Sequence, residues 1–222
     1  MLINADFTLP AVVAPHEYQW VASPQAGVDR VMLDRVGAEK ARATSIVRYA
    51  PNSFFPSHQH PGGEEILVLS GTFSDEGADY PAGWYLRNPP GSSHQPSSAE
   101  GTTIFVKLQQ MPDSEYHHVR INTRDPSKWH RQGSREVCPL FAGDSEQVSL
   151  NRFGANTLLY NKLLQGFELL VLEGSVTADG QTYESGSWLR LPAGQHLDIV
   201  AGKQGTTVYL KTGHLVHPEV EA

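Results

Sequence analysis

The chain repeats itself, and that fact limits the folds open to it more than any other. Glu65-Ile-Leu-Val-Leu-Ser-Gly71 returns as Glu168-Leu-Leu-Val-Leu-Glu-Gly174, offset by 103 residues. The same offset carries Tyr80-Pro-Ala-Gly-Trp-Tyr-Leu-Arg-Asn-Pro-Pro-Gly91 onto Tyr183-Glu-Ser-Gly-Ser-Trp-Leu-Arg-Leu-Pro-Ala-Gly194. An offset of 104 carries Gly101-Thr-Thr-Ile-Phe-Val-Lys107 onto Gly205-Thr-Thr-Val-Tyr-Leu-Lys211, and Trp20 and Trp129 precede the two copies at similar places. Three blocks in one order at a near-constant offset mark a duplication. Each copy is about 100 residues, enough for one small β-domain. The polar stretch from Asp113 to Arg124 is the natural boundary, and the expected division is 1–115 and 116–222.

Within each copy the apolar runs are short. Glu65–Leu69, Thr103–Lys107, Glu168–Leu172 and Thr207–Lys211 are each bounded by Gly, Ser or Pro. Short strands between frequent turns predict an all-β sandwich or barrel. Helical periodicity is nearly absent; Asp34–Thr44 has room for a turn of helix, a reading given little weight.

Charge and composition exclude several roles. The 222 residues carry a formal charge of -7, with no Lys/Arg run beyond two residues, so no basic stripe awaits a nucleic acid. One cysteine, Cys138, excludes a disulfide framework and a Cys-type zinc finger. No stretch approaches the roughly 20 apolar residues of a membrane span. Met1–Pro10 does not read as a signal peptide, so a cytoplasmic protein without membrane attachment is expected.

The chemistry lies in the first copy. His58-Gln-His60-Pro-Gly-Gly-Glu64 is followed by Gly71, then by Gly83, Pro89, Gly91 and His94 at fixed spacings. Residues i and i+2 of a strand face the same way, so His58 and His60 address one point. Gly62-Gly63 permits a tight turn that returns Glu64 toward it, and the Pro89-Pro-Gly91 turn leads His94 into a neighbouring strand. Three Gly and one Pro at those offsets occur by chance at about 2 in 100,000 starts. Three imidazoles and a carboxylate gathered away from water need a metal. The nitrogen-rich set suits Fe(II), Mn(II), Ni(II), Cu(II) or Zn(II) rather than Ca or Mg.

These two stretches resemble the paired motifs of the cupin superfamily, G-x5-H-x-H-x3-4-E-x6-G and G-x5-P-x-G-x2-H-x3-N. Asn52 stands where the first motif opens with Gly, and Ser98 where the second ends with Asn. The wording His60-Pro-Gly-Gly-Glu-Glu65, Val68-Leu-Ser-Gly-Thr-Phe-Ser-Asp-Glu76 and Arg87-Asn-Pro-Pro-Gly-Ser-Ser-His94 is similar to the cupin domain of ChrR-type anti-sigma factors, over residues 20 to 110. The resemblance implies two tandem cupin barrels of jelly-roll type. It implies one zinc ion on His58, His60, Glu64 and His94, a role in the response to oxidants, and a sigma-factor partner. ChrR-type proteins grip the sigma factor through a separate His-x3-Cys-x2-Cys zinc domain, and no such pattern occurs in this sequence.

Spacing admits Glu64 or Glu65 as the fourth ligand. The repeat chooses Glu64. Glu65 is kept as Glu168, whereas Glu64 becomes Phe167, His58 becomes Asn161, His60 becomes Leu163 and His94 becomes Leu197 with His196 beside it. A residue kept where the ligands are lost has a structural task. The second copy is therefore a degenerate domain without metal. His117-His118 reads as solvated linker, His16, His130, His214 and His217 as surface residues, and Cys138 as core. Tyr49, Phe73, Trp84 and Tyr85 read as core aromatics of the first domain.

Two functions remain. One is a zinc-binding sensory or regulatory cupin in a transcriptional stress response, with a small-molecule ligand possible. The other is a metal-dependent dioxygenase using Fe or Ni on a small diketone or aromatic ketone. A metal-dependent sugar isomerase ranks last, because no dedicated base stands out. A homodimer is expected by analogy with other cupins.

Overall fold

The computed structural model describes residues 1–38, 40–75, 77–160, 166–194 and 197–215. Apart from two single-turn 3-10 segments, Pro15–Glu17 and Pro126–Lys128, every regular element among them is a strand. The chain packs as two compact units, Met1–Ala5 with Gln19–Arg124 and Asp6–Tyr18 with Asp125–Ala222.

In the first unit the main antiparallel sheet runs Leu2–Ile3, Val28–Val36, Arg42–Tyr49, Thr102–Leu108, Glu64–Asp75, Trp84–Asn88, Val119–Asn122. The long strand Glu64–Asp75 serves two layers. Its first half pairs with Thr102–Leu108 and Trp84–Asn88, and its second half with Ala78–Pro81 and, at Ser74, with Ser97. Gly71 marks the bend. It holds φ +68°, and a Cβ there would lie 2.0 Å from the Gly101 carbonyl oxygen, so no other residue fits. Between the layers lie Val28, Tyr49, Ile66, Val68, Phe73, Leu86, Ile104 and Val106, with Trp84 packed alongside. Tyr85 is buried on the other face of the sheet.

The second unit repeats this plan. Its sheet runs His130–Gln132, Arg135–Ala142, Gln147–Phe153, Ile199–Thr212, Phe167–Ala178, Trp188–Leu191, Ala11–Val13. Phe167–Ala178 and Glu64–Asp75 have the same residue-by-residue burial over all 12 positions. Gly174 repeats Gly71, at φ +72° against the Gly205 carbonyl. Arg48 stacks on Trp20 at 4.3 Å, and Arg152 on Trp129 at 3.8 Å, so the duplication extends to a cation–π pair. Both units are all-β and jelly-roll-like. Their hydrogen-bonded paths stay open instead of closing into a ring.

Strand pairing departs from the sequence reading in places. The described residues of Asp34–Thr44 hold no helix: Val28–Val36 and Arg42–Tyr49 form a strand pair, because β-branched residues on both sides dominate the short helix-forming stretch. The stretch after residue 115 does not pass directly to the second unit, because Val119–Asn122 is the edge strand beside Trp84–Asn88. The second sheet takes its own edge strand, Ala11–Val13, from near the N-terminus.

A charged trio recurs behind the core. Glu65 lies opposite both Arg87 and Lys107, and Glu168 opposite both Arg190 and Lys211, all six buried. Arg87 donates to Glu65 at 3.1 Å and to Glu115 at 2.5 and 2.6 Å. Lys211 meets Glu146 at 2.8 Å. Glu168 accepts from Trp188 Nε1 at 2.7 Å and lies 3.2 Å from His214 Nε2. His214 is thus a buried partner of a carboxylate, not the surface residue its isolation in the sequence suggested. His117 and His118 are exposed.

Two outcomes are expected. Phe167→Glu should lower stability by about 3–5 kcal/mol in urea denaturation, because an uncompensated carboxylate enters an apolar core. Burial pushes the free Cys138 thiol up to about 11. The folded protein should therefore leave a thiol reagent unreacted at pH 8 and react only after unfolding.

Candidate metal centre

A separate two-stranded ribbon builds most of the site. His58–His60 pairs antiparallel with Ser92–His94, with His58 opposite His94 and His60 opposite Ser92. The i, i+2 spacing and the cross-strand register place all three imidazoles on one face. Their ring centroids are 4.7, 4.9 and 4.6 Å apart. The chain leaves His60 through a turn in which Gly63 takes φ +76° and donates its N–H to the His60 carbonyl. That turn delivers Glu64 at the head of the long strand.

Strand alternation then separates the two glutamates. Glu64 shares its face with Ile66 and Val68 of the core, and Glu65 points the other way, to Arg87. Glu64 Oε2 lies 3.4 Å from His60 Nε2 and 3.4 Å from His94 Nε2. One ligand atom from each of His58, His60, Glu64 and His94 can be chosen so that all lie within 4.8 Å of one another. His60, Glu64 and His94 are buried, and His58 is partly exposed. The four residues singled out in the sequence are therefore brought together.

The surroundings prepare these groups to hold a cation. Buried His60 Nε2 has no hydrogen-bond partner, which is costly for a polar atom unless a metal takes its lone pair. Burial, opposed by the Glu64 charge, lowers the His60 pKa and keeps the ring in its neutral, ligating form. Each remaining ring is held from behind. His58 Nδ1 lies 2.8 Å from the Pro56 carbonyl, and His94 Nδ1 lies 3.0 Å from Asp75 Oδ2. Those acceptors select the tautomer with a proton on Nδ1 and a lone pair on Nε2. Asn88 Nδ2 donates to Glu64 Oε2 at 3.0 Å, and Arg120 Nη2 donates to Asn88 Oδ1 at 2.7 Å. The burial of Tyr49, reinforced by Glu64 and Asp75, raises its phenol pKa and keeps it neutral.

Asp75, Asn88 and Arg120 were not identified from sequence. Asp75 and Asn88 stand inside the motif wording and Arg120 inside the presumed linker, so spacing alone gave no reason to select them. The two departures from the cupin motifs have local explanations. Asn52 holds φ +58°, a left-handed conformation that Asn tolerates better than most residues. Buried Ser98 donates to the Thr72 carbonyl at 2.7 Å.

The corresponding place in the second unit is apolar where it is described. Phe167 belongs to a core of Leu169, Val171, Val176, Leu189 and Val208, and Leu197 packs against it. Asn161, Leu163, His196 and His217 lie outside the described residues. Glu168 faces Trp188 and His214, away from that core. Among the described residues the His58 cluster is the one group of three or more such side chains close enough to share an ion. No helix among them is long and apolar enough to cross a membrane.

Comparison with known proteins agrees with this fold. Residues 8–112 match the family model described as the ChrR cupin-like domain. Among solved structures the chain is similar to a candidate dioxygenase from Nostoc punctiforme, with TM-score 0.72 and 14% identity over 99% of this chain and 84% of the other. It is similar to protein YlbA of E. coli, with TM-score 0.70 and 20% identity over 98% and 95%. It is also similar to the pirin YhhW of Escherichia coli in complex with nickel(II), with TM-score 0.63 and 14% identity over 92% and 98%. Such identities carry the fold alone. No curated protein matches the chain. Fold, motif spacing and family match coincide: the chain has the cupin fold, and its residues 8–112 match the ChrR cupin-like domain model.

Proposed function

We propose that the first unit binds one divalent transition metal through His58, His60, Glu64 and His94, and that the chain is a zinc-holding regulatory cupin of the ChrR type. The observation that carries the reading is the convergence of three imidazoles on one carboxylate with buried His60 Nε2 left unbonded. Four protein donors of this kind satisfy tetrahedral zinc, which needs no further ligand for a structural or sensing role. When bound, the ion would supply Lewis acidity at a partly accessible point. The protein's part is to hold the rings in one tautomer and Glu64 in one orientation. In this reading the partner is a sigma factor, and the cell compartment is the cytoplasm.

A second reading, an Fe- or Ni-dependent dioxygenase acting on a small diketone or aromatic ketone, is favoured by access. His58 is partly exposed, and a cavity of about 450 Å³ lined by Ser57, Ser74, Asp75, Ser93 and Gln95 reaches His94. Its walls are polar, whereas sites for apolar ketones are lined mostly by hydrophobic and aromatic side chains. Fold resemblance to a candidate dioxygenase and to a nickel-bound pirin adds to this reading.

Elemental analysis of protein made without added metal should find about one zinc per chain. Iron-loaded protein should then take up no oxygen with a panel of diketones and hydroxylated acetophenones. Oxygen uptake with any of them would replace the regulatory reading by the enzymatic one. Capture of a sigma factor by zinc-loaded protein, lost on chelation, supports the regulatory role; a sigma factor bound equally with and without zinc counts against zinc sensing.

Ligand variants separate the two glutamates. Glu64→Gln and His58→Ala/His60→Ala should lose zinc. Glu65→Gln should keep it while losing about 1–3 kcal/mol of stability, because Arg87 trades a charged partner for a neutral one but keeps Glu115. Since burial lowers the His60 pKa below its ordinary value, zinc should be retained at pH 6 and released only as protons compete at lower pH. Release already complete at pH 6 would contradict that picture.

A further inference from the structure

The edge strand Val119–Asn122 lies outside both cupin motifs and beyond the 8–112 family match. We infer that Arg120 on this strand is a positioning residue of the metal centre, acting through Asn88 on Glu64; the inference rests on the metal reading above and deepens it.

The chain of bonds is short and directional. Arg120 lies opposite Leu86 in the strand pair, which brings its guanidinium to the end of Trp84–Asn88. Nη2 donates to Asn88 Oδ1 at 2.7 Å, and Asn88 Nδ2 donates to Glu64 Oε2 at 3.0 Å. Chemistry leaves no choice of orientation. A guanidinium only donates and a carboxylate only accepts, so the amide between them must turn its oxygen to Arg120 and its NH2 to Glu64. Arg120 therefore decides which face Asn88 shows to the ligand.

The guanidinium is itself fixed. Nη1 donates to the Arg87 and Val119 carbonyls at 3.1 and 2.8 Å, and Nε donates to Tyr80 Oη at 3.2 Å, with the Tyr80 ring centroid 5.6 Å from its central carbon. Such a held fork is a pre-organised donor. Oε2, the oxygen that lies 3.4 Å from both His60 Nε2 and His94 Nε2, is the one that receives the Asn88 proton. The relay thus restrains the atom nearest the imidazoles and lowers its charge density. It mirrors Asp75 behind His94 on the opposite side of the cluster. Arg120 touches no ligand atom and acts only through Asn88.

The test uses the full chain, with zinc affinity measured against a chromophoric chelator and visible absorption recorded for the cobalt(II) form. Arg120→Gln and Asn88→Leu should each weaken zinc about tenfold or more, as expected on removing an outer partner of a ligand. Both should alter the cobalt bands, because Glu64 is freed to reorient. Arg120→Lys, which keeps a cation and a single donor, should fall between wild type and Arg120→Gln. A residue that merely pins the edge strand would lower thermal stability of the metal-free protein yet leave affinity and cobalt spectrum as in wild type. That result in either variant overturns the inference while leaving the metal reading intact. If Arg120→Gln fails to fold, Asn88→Leu decides by the same two readouts. A wild-type protein that binds neither zinc nor cobalt overturns the metal reading, and this inference with it.

Discussion

A carboxylate cannot sit on the apolar face of a sheet without compensation, and the first unit is arranged around that demand. Glu64 continues the row of Ile66 and Val68, a place the duplicate fills with Phe167. Leaving a charge there would cost several kcal/mol unless opposite charge or strong donors surround it. The ribbon of His58–His60 and Ser92–His94 supplies imidazoles on one side, and Asn88 donates a hydrogen bond on another. The comparison of the two units is a natural experiment in this compensation. Where Phe167 takes the place, the strand keeps its pairing and burial with an apolar core on that face. The site is thus an addition to a scaffold that stands without it.

The opposite face of the same strand obeys another rule. Glu65 and Glu168 are both retained, and both are buried among cationic or hydrogen-bonding partners. One residue apart, the two glutamates of the first unit have unrelated tasks, because a strand turns successive side chains to opposite faces. The pair Arg87 and Asn88 divides in the same way, Arg87 toward Glu65 and Glu115 and Asn88 toward Glu64. The strand pair Glu64–Asp75 and Trp84–Asn88 therefore serves the His-Glu cluster on one surface and a salt-bridge network on the other.

Much of this was legible in the sequence, for physical reasons. The i, i+2 histidines, the glycine turn before Glu64 and the turn before His94 are local geometry, and local geometry is written in neighbouring residues. The repeat located the bend glycines and decided between Glu64 and Glu65. What stayed hidden depends on long-range pairing. Asp75 and Arg120 reach the site from strands whose register no nearby residue encodes, and His214 meets Glu168 across 46 residues. The strand Ala11–Val13 belongs to the second sheet although 174 residues lie between Val13 and its partner Trp188. Asp34–Val36 and Arg42–Thr44 went to strand because partners on both sides outweigh a weak local preference for helix.

That early strand has a consequence for how the molecule can be made. Ala11–Val13 leaves the ribosome long before its pairing partner Trp188–Leu191 is made. The first unit, whose last strand ends at Asn122, can close long before then. Residues 6–18 must wait as an unpaired segment while a finished domain forms beside them. Cutting the chain at its sequence midpoint would therefore yield no two clean halves. One piece would carry an orphan strand, and the other would present a bare sheet edge, the kind of surface on which chains aggregate.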